Sequence, residues 1–163
     1  MDKKKKIIKY IFLSLYIILV GVFYFFTLRS GNESTKDSSL VTDMFLAILN
    51  FFTAHKVEFD YEVVHHLTRK LVGHYGYNLL IGLVCLIMMY NFKGIGKISL
   101  LISLALGLFV ALSGELLQYI PASRGPSIVD AMINFAGEVS GILISFLFIL
   151  IIQKKKKKEI SID

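Results

Sequence analysis

Long apolar blocks alternate with short polar segments along this 163-residue chain. Four of the blocks contain about the 20 mostly apolar residues that a membrane-spanning helix needs. A fifth block, 40–54, is too short to span a bilayer, and its apolar residues recur at helical spacing, which is typical of an interfacial or re-entrant helix. The alternative is a helix packed on the mouth of the bundle. The pattern predicts one domain, 1–163, that is an all-α membrane protein with four transmembrane helices and an extracytoplasmic interfacial or re-entrant helix between the first two. The predicted spans are 7–26, 72–90, 98–117 and 133–152.

Polar residues predict where the remaining helices begin. The segment from Arg29 to Ser39 has the composition of a solvated loop, with Ser38 or Ser39 capping the short helix that follows. Asp60 is placed to cap a second helix, which runs into the second span.

Small residues at a spacing of three or four predict close helix packing in two of the spans. Gly107, Ala111 and Gly114 form such a stripe in the third span, and Gly137 and Gly141 form one in the fourth. Glu138 lies between the last two glycines, and we expect its carboxyl group to be protonated, paired or facing water.

The net charge of +6 comes from lysines and arginines that flank the apolar blocks. Their position beside membrane segments argues against a nucleic-acid partner. If both termini are cytoplasmic, twelve of the eighteen basic residues lie inside, in agreement with the positive-inside rule. We therefore predict a multi-pass protein of the cell membrane with both termini in the cytoplasm. The six basic residues left outside are Arg29, Lys36, Lys56, Arg69, Lys70 and Arg124.

Polar residues are concentrated around the predicted hairpin 118–132, which contains both prolines of the chain. Ionisable groups at the ends of membrane helices are costly unless they are solvated or paired, so they are functional candidates. On the helix that runs into the second span, Lys70, His74 and Asn78 follow one another at intervals of four and share a helix face. The predicted topology brings this face and the hairpin to the same outer side. The candidate ligand-binding residues are Arg69, Lys70, His74, Glu115, Gln118, Arg124, Ser127, Asp130 and Asn134.

This constellation resembles the VanZ-like family of bacterial membrane proteins. The resemblance implies an association with tolerance of glycopeptide antibiotics, notably teicoplanin, at the cell envelope. Many members carry acidic groups where this chain has Gly76 and Gly114, which argues against a mechanism that needs two adjacent carboxylates. The matching residues are Glu115-x-x-Gln118, Pro121, Arg124, Ser127-x-x-Asp130 and Asn134-x-x-Gly137-x-x-x-Gly141, with Arg69-Lys70 and Gly73-His74-Tyr75 upstream.

Three interpretations of the polar residues remain open. The favoured one is a non-enzymatic pocket at the outer face that binds a membrane lipid, a lipid-linked envelope precursor or a glycopeptide, with no cofactor and no metal. The second is an intramembrane enzyme that uses His74, Glu115 and Asp130 for acid–base chemistry, although no nucleophile-elbow or zinc-protease motif is present. In the third, the residues only join helix ends, with Arg124 paired to Glu115 or Asp130 and His74 bonded to a carboxylate.

Overall fold

The computed structural model describes residues 3–54, 56–121 and 123–160. These residues form six α-helices and one π-helical segment, and no strand occurs among them. Four helical stretches are long and apolar enough to cross a membrane, namely Lys3–Thr27, Tyr61–Lys93, Lys97–Leu117 and Ile128–Lys155. The predicted all-α fold with four spans is confirmed. The elements in order are α1 (Lys3–Thr27), α2 (Gly31–Thr53), α3 (Tyr61–Thr68), the π segment (Arg69–Gly76), α4 (Tyr77–Lys93), α5 (Lys97–Leu117) and α6 (Ile128–Ile160).

The apolar core lies between α1, α4 and α5. In it, Phe23 stacks on Tyr77 with ring centroids 6.2 Å apart. Tyr24 and Ser113 share a hydroxyl hydrogen bond of 2.7 Å, which fixes α1 against α5. Cys85 is fully buried, as expected for a core residue. The buried members of this core are Tyr16, Phe23, Ile81, Cys85, Met88, Met89 and Val110.

Glycines bring α4 and α6 together backbone to backbone. A Cβ atom added to Gly137 would collide with the carbonyl of Tyr75, and one added to Gly141 would collide with the carbonyl of Leu79. From the other side, a Cβ atom on Gly82 would collide with the backbone of α6. The predicted close packing at Gly137 and Gly141 is therefore confirmed.

The glycines of α5 make room for side chains rather than for a backbone. Gly107 packs against the side chain of Glu138, and Gly114 packs against the ring of Phe23. The stripe on α5 therefore serves two neighbouring helices, α6 and α1.

The segment predicted as a solvated loop, from Arg29 to Ser39, is mostly helical, so that prediction is wrong. Helix α2 begins at Gly31 and is capped by Ser30, whose Oγ accepts a hydrogen bond of 3.4 Å from the backbone N–H of Glu33. The Glu33 carboxylate accepts in return from the Ser30 backbone N–H at 3.0 Å, which completes a capping box. The Ser30 hydroxyl also donates to this carboxylate at 2.9 Å, and this bond and the one from the Ser30 backbone lower the pKa of Glu33. Ser38 and Ser39 lie inside the helix, and the short helix predicted at 40–54 is the second half of α2.

Asp60 caps α3, as predicted. Its Oδ1 accepts from the backbone N–H groups of Glu62 at 2.8 Å and Val63 at 3.3 Å. The helix then widens into the π segment, where the N–H of Tyr77 reaches the carbonyl of Val72, five residues back. Widened turns of this kind are frequent at functional sites.

Two contacts show which loops share an end of the bundle. The Lys9 ammonium lies 3.9 Å from the centroid of the Phe92 ring, so the start of α1 is beside the end of α4. Arg124, in the hairpin between α5 and α6, hydrogen-bonds to backbone at the end of α1. We call the end with the hairpin the site end, and the end with the start of α1 and the α4–α5 turn the terminal end.

The α4–α6 contact predicts that even one methyl group at Gly137 is harmful. Gly137→Ala should destabilise the folded protein by about 1–3 kcal/mol because the new Cβ forces the helix backbones apart. The matched control is Gly21→Ala, since Gly21 has open space around it and alanine is the better helix former. Thermal unfolding of both variants in detergent measures the difference, and equal midpoints would show that the contact does not limit stability.

Candidate functional site

Asn134 joins three helical elements through a buried hydrogen-bond network. Its Nδ2 donates to Oε1 of Glu115 at 3.2 Å, and its Oδ1 accepts from Nδ2 of Asn78 at 3.0 Å. Nδ1 of His74 is also 3.0 Å from Oδ1 of Asn134. Because that oxygen can only accept, His74 must carry a proton on Nδ1, and in the neutral ring Nε2 then holds the lone pair. The network fixes both the position and the tautomer of His74.

Glu115 closes the hairpin by holding the start of α6. Its side chain is only 5% exposed, and its Oε2 accepts a hydrogen bond of 3.1 Å from the backbone N–H of Ser127. Ser127 in turn accepts through Oγ from the N–H of Asp130 at 3.2 Å. A carboxylate is favourable at the amino end of a helix, where unpaired N–H groups concentrate positive charge. Both oxygens of Glu115 are therefore engaged in holding helices together.

The face predicted from Lys70, His74 and Asn78 does meet α6. Lys70 Nζ lies 3.9 Å from Oδ1 of Asp130, and both side chains are partly exposed. One and two turns further along, His74 and Asn78 reach Asn134. His74 was expected to bond to a carboxylate, but its hydrogen bond goes to Asn134, and Oε1 of Glu115 is 3.9 Å from its Nδ1.

The structural interpretation of the sequence expected Arg124 to pair with Glu115 or Asp130, but it pairs with neither. Its Nη1 donates to the backbone carbonyls of Phe26, Thr27 and Arg29 at 3.2, 3.3 and 3.4 Å. The last carbonyls of a helix lack partners within it and carry negative partial charge, so a guanidinium is a suitable cap for α1. Burial lowers the pKa of Arg124, and neighbouring Arg69 lowers it further.

A cavity of about 310 Å³ lies at the site end between α1, α2, the π segment and α5. Five of the nine predicted binding residues line it, namely Arg69, His74, Glu115, Gln118 and Arg124. The remaining four, Lys70, Ser127, Asp130 and Asn134, are not among its lining residues. The predicted group thus separates into a set that faces the cavity and a set that supports it.

The sequence prediction missed the opposite wall of the cavity. That wall is formed by the end of α1 and by the first half of α2, including Phe23, Phe26, Ser34, Asp37 and Val41. The Ser-x-x-Glu pattern of a capping box at residues 30–33 is the signal that would have extended α2 over the cavity. The end of α1 was predicted at about the right residue, but no local pattern shows that it faces a cavity.

The charged groups on the cavity wall differ in whether they have a partner within the protein. Asp37 Oδ2 is 3.2 Å from Nε of Arg29, so this carboxylate is already paired. Glu115 is satisfied by the backbone of Ser127 and by Asn134. The Arg69 guanidinium, in contrast, makes no hydrogen bond or salt bridge to any residue that the structure describes. The lining therefore presents an unpaired guanidinium.

The Asn134 network predicts a large cost for its removal. Asn134→Ala leaves groups on Glu115, Asn78 and His74 without their partner, so the free energy of unfolding should fall by about 1–3 kcal/mol. Ser140→Ala on the same helix is the control, because it removes one hydrogen bond from Tyr75 and should cost about 1 kcal/mol or less. Unfolding in mixed detergent measures both, and the reverse order would contradict the network.

The family model described as VanZ/LLP1 matches residues 12–150. That range includes every residue that lines the cavity and every member of the Asn134 network. No curated protein and no solved structure matches the chain. Since the match covers most of the sequence, the chain belongs to the VanZ/LLP1 family.

Proposed function

We propose that the cavity binds the anionic headgroup of an amphipathic molecule of the cell envelope. The observation that carries this proposal is the unpaired guanidinium of Arg69 in a cavity whose carboxylates are already satisfied. A planar guanidinium forms strong paired hydrogen bonds with phosphate or carboxylate. Arg124 adds a second cation, since only its Nη1 is used in capping α1.

The remaining lining suits the start of an acyl or prenyl chain. One side of the cavity is apolar and is formed by residues of α1, α2, the π segment and α4, namely Phe23, Phe26, Val41, Val72 and Tyr77. Its volume of about 310 Å³ is at the lower limit of small-molecule sites, which run from about 300 to 1,000 Å³. A headgroup with the first part of its chain fits such a space, and the rest of the chain would lie in the bilayer.

This ligand class accords with the function that the family resemblance implies. A membrane lipid, a lipid-linked envelope precursor and a lipophilic glycopeptide all combine an anionic or peptidic head with an apolar tail. We propose that binding one of them links this cavity to tolerance of glycopeptide antibiotics such as teicoplanin.

The test compares two variants, each of which removes one basic side chain at the site end. Arg69→Gln should weaken binding of phosphatidylglycerol about ten- to a hundredfold, because a hydrogen bond to a charged group contributes about 1.5–3 kcal/mol. Lys36→Gln also removes one cation, but Lys36 is exposed and does not line the cavity, so binding should persist. Native mass spectrometry of the detergent-extracted protein measures bound phosphatidylglycerol, with phosphatidylcholine as the headgroup control.

A third variant separates geometry from charge. Arg69→Lys keeps a point charge but loses the planar fork, so it should bind phosphatidylglycerol more weakly than the wild type. Teicoplanin tolerance should follow the same order, at matched protein levels in the membrane. Equal lipid binding by Arg69→Gln and Lys36→Gln would refute the role of the cavity.

An acid–base enzyme is the second candidate, because His74 and Glu115 both line the cavity, with 3.9 Å between Nδ1 of His74 and Oε1 of Glu115. The hydrogen bonds that already occupy both oxygens of Glu115 argue against it, and Asp130 is outside the lining. Incubation with radiolabelled envelope lipids distinguishes the two functions. Turnover that is lost in Glu115→Gln would favour the enzyme, and retention of unchanged lipid would favour binding.

We also propose that the site end faces outward and both termini lie in the cytoplasm, as the distribution of basic residues suggests. In intact cells, a cysteine at Asn32 should react with a membrane-impermeant thiol reagent, and one at Lys93 should react only after lysis. Both native side chains are exposed, and the native Cys85 is fully buried and should stay silent. Labelling of Lys93→Cys without lysis would reverse the orientation.

A further inference from the structure

The interior of the bundle contains a carboxyl group that neither the cavity nor the Asn134 network uses. Glu138 lies one turn along α6 from Asn134, and its side chain is fully buried. Neither of its carboxyl oxygens has a hydrogen-bond partner among the described residues. An ionised carboxylate in such a place is very costly, because neither water nor a counter-ion stabilises the charge.

The neighbouring helices leave room for this side chain. On α5, a Cβ atom at Gly107 would collide with the Glu138 carboxyl, and on α4, a Cβ atom at Gly82 would collide with the Glu138 backbone. Glycines on two different helices therefore allow the carboxyl to lie between them. Glu138 therefore lies in a space between helices that the two glycines provide, and not at a surface that faces lipid.

The groups that face Glu138 offer it no positive charge. Tyr16 faces it from α1 and Cys85 faces it from α4, and both are weak acids. On α5, Gly107 has no side chain, and Ser103 donates its hydroxyl proton to the carbonyl of Ser99 at 2.9 Å. No basic side chain is among these neighbours, so a proton is the cation that can neutralise the carboxylate there.

A metal ion is a poorer occupant of the same place. Hard cations such as Na⁺ or Ca²⁺ are held by several oxygen ligands at once. Glu138 supplies two oxygens, and the backbone carbonyl of Ser99 already accepts from Ser103. A single carboxyl group needs no further ligand to hold a proton.

Polar groups continue from Glu138 toward the site end. Oδ1 of Asn78 is also buried without a partner in the described part of the chain. Nδ2 of Asn78 bonds to Asn134, and Asn134 bonds to Glu115, which lines the cavity. Polar side chains thus line the way from the cavity to Asn134, one turn of α6 from Glu138, and they can hydrogen-bond to water or pass a proton.

We propose that Glu138 is a proton-binding site in the membrane interior, holding its proton as a neutral carboxylic acid and exchanging it with water that enters from the site end. On release, the O–H bond breaks, the proton passes to a water molecule, and the carboxylate remains until it is protonated again. This proposal does not depend on what the cavity binds.

The test is labelling of the purified full-length protein with dicyclohexylcarbodiimide, an apolar reagent that modifies protonated carboxyl groups in membrane interiors. Peptide mapping by mass spectrometry should place one adduct on Glu138, with labelling that falls as the pH is raised from about 6 to about 10. A water-soluble carbodiimide should leave Glu138 unmodified, because the reagent does not enter the apolar interior. Sodium ions at high concentration should not protect it.

Two variants serve as controls for the assignment. Glu138→Gln should lose the adduct. Glu115→Gln, which removes the buried carboxyl at the site end, should retain it on Glu138. If Glu138→Gln does not fold, peptide mapping of the wild type still decides the question. Absence of an adduct on Glu138, or protection by sodium, would overturn the proposal, and neither result bears on lipid binding at Arg69.

Discussion

The backbone contact between α4 and α6 is the constraint on which the rest of the structure depends. Helices in a bilayer gain little from hiding apolar side chains, since lipid is equally apolar, so close van der Waals contact and interhelical hydrogen bonds must hold them together. Gly137 and Gly141 allow this contact along two turns of α6. It brings Asn78 within hydrogen-bond distance of Asn134 and thereby sets the position of His74 as well. Without this register, the polar groups would be a set of unpaired and costly side chains.

The candidate binding residues fall into two layers with different roles. Asn134, Ser127 and the Lys70–Asp130 pair hold the helix ends, and their partners are protein atoms. Arg69 faces the cavity without such a partner. Glu115 belongs to both layers, because it lines the cavity while it holds the amino end of α6. The structural interpretation therefore accounts for one subset of the residues, and the ligand-binding interpretation is our proposal for the other.

The sequence could predict the features that depend on residues close together along the chain. The four spans follow from the length of the apolar blocks, and the shared face of Lys70, His74 and Asn78 follows from helical spacing. Contacts between distant segments could not be predicted in the same way. Arg124 bonds to carbonyls about a hundred residues earlier, and backbone carbonyls leave no mark on the sequence. The π segment was also missed, because a hydrogen bond to the fifth rather than the fourth residue back has no clear compositional signal.

The length of α2 was a different kind of error, since its signal was present. Ser and Asn residues favour loops in isolation, and this preference outweighed the reciprocal bonds of Ser30 and Glu33. The consequence was that one side of the cavity was missing from the predicted site. A helix-capping pattern ahead of a polar stretch is thus a better predictor of its secondary structure than the average polarity of that stretch.

Helix α2 also differs from the other walls of the cavity in what surrounds it. Thr42 is its one buried residue among those described, and Met44, Ile48, Phe51 and Phe52 are largely exposed. In a membrane, such a helix packs against acyl chains more than against protein. If α2 lies in the membrane interface, as the sequence predicts, one wall of the cavity is supported by lipid, and the width of the cavity should then follow the lateral pressure and composition of the surrounding leaflet.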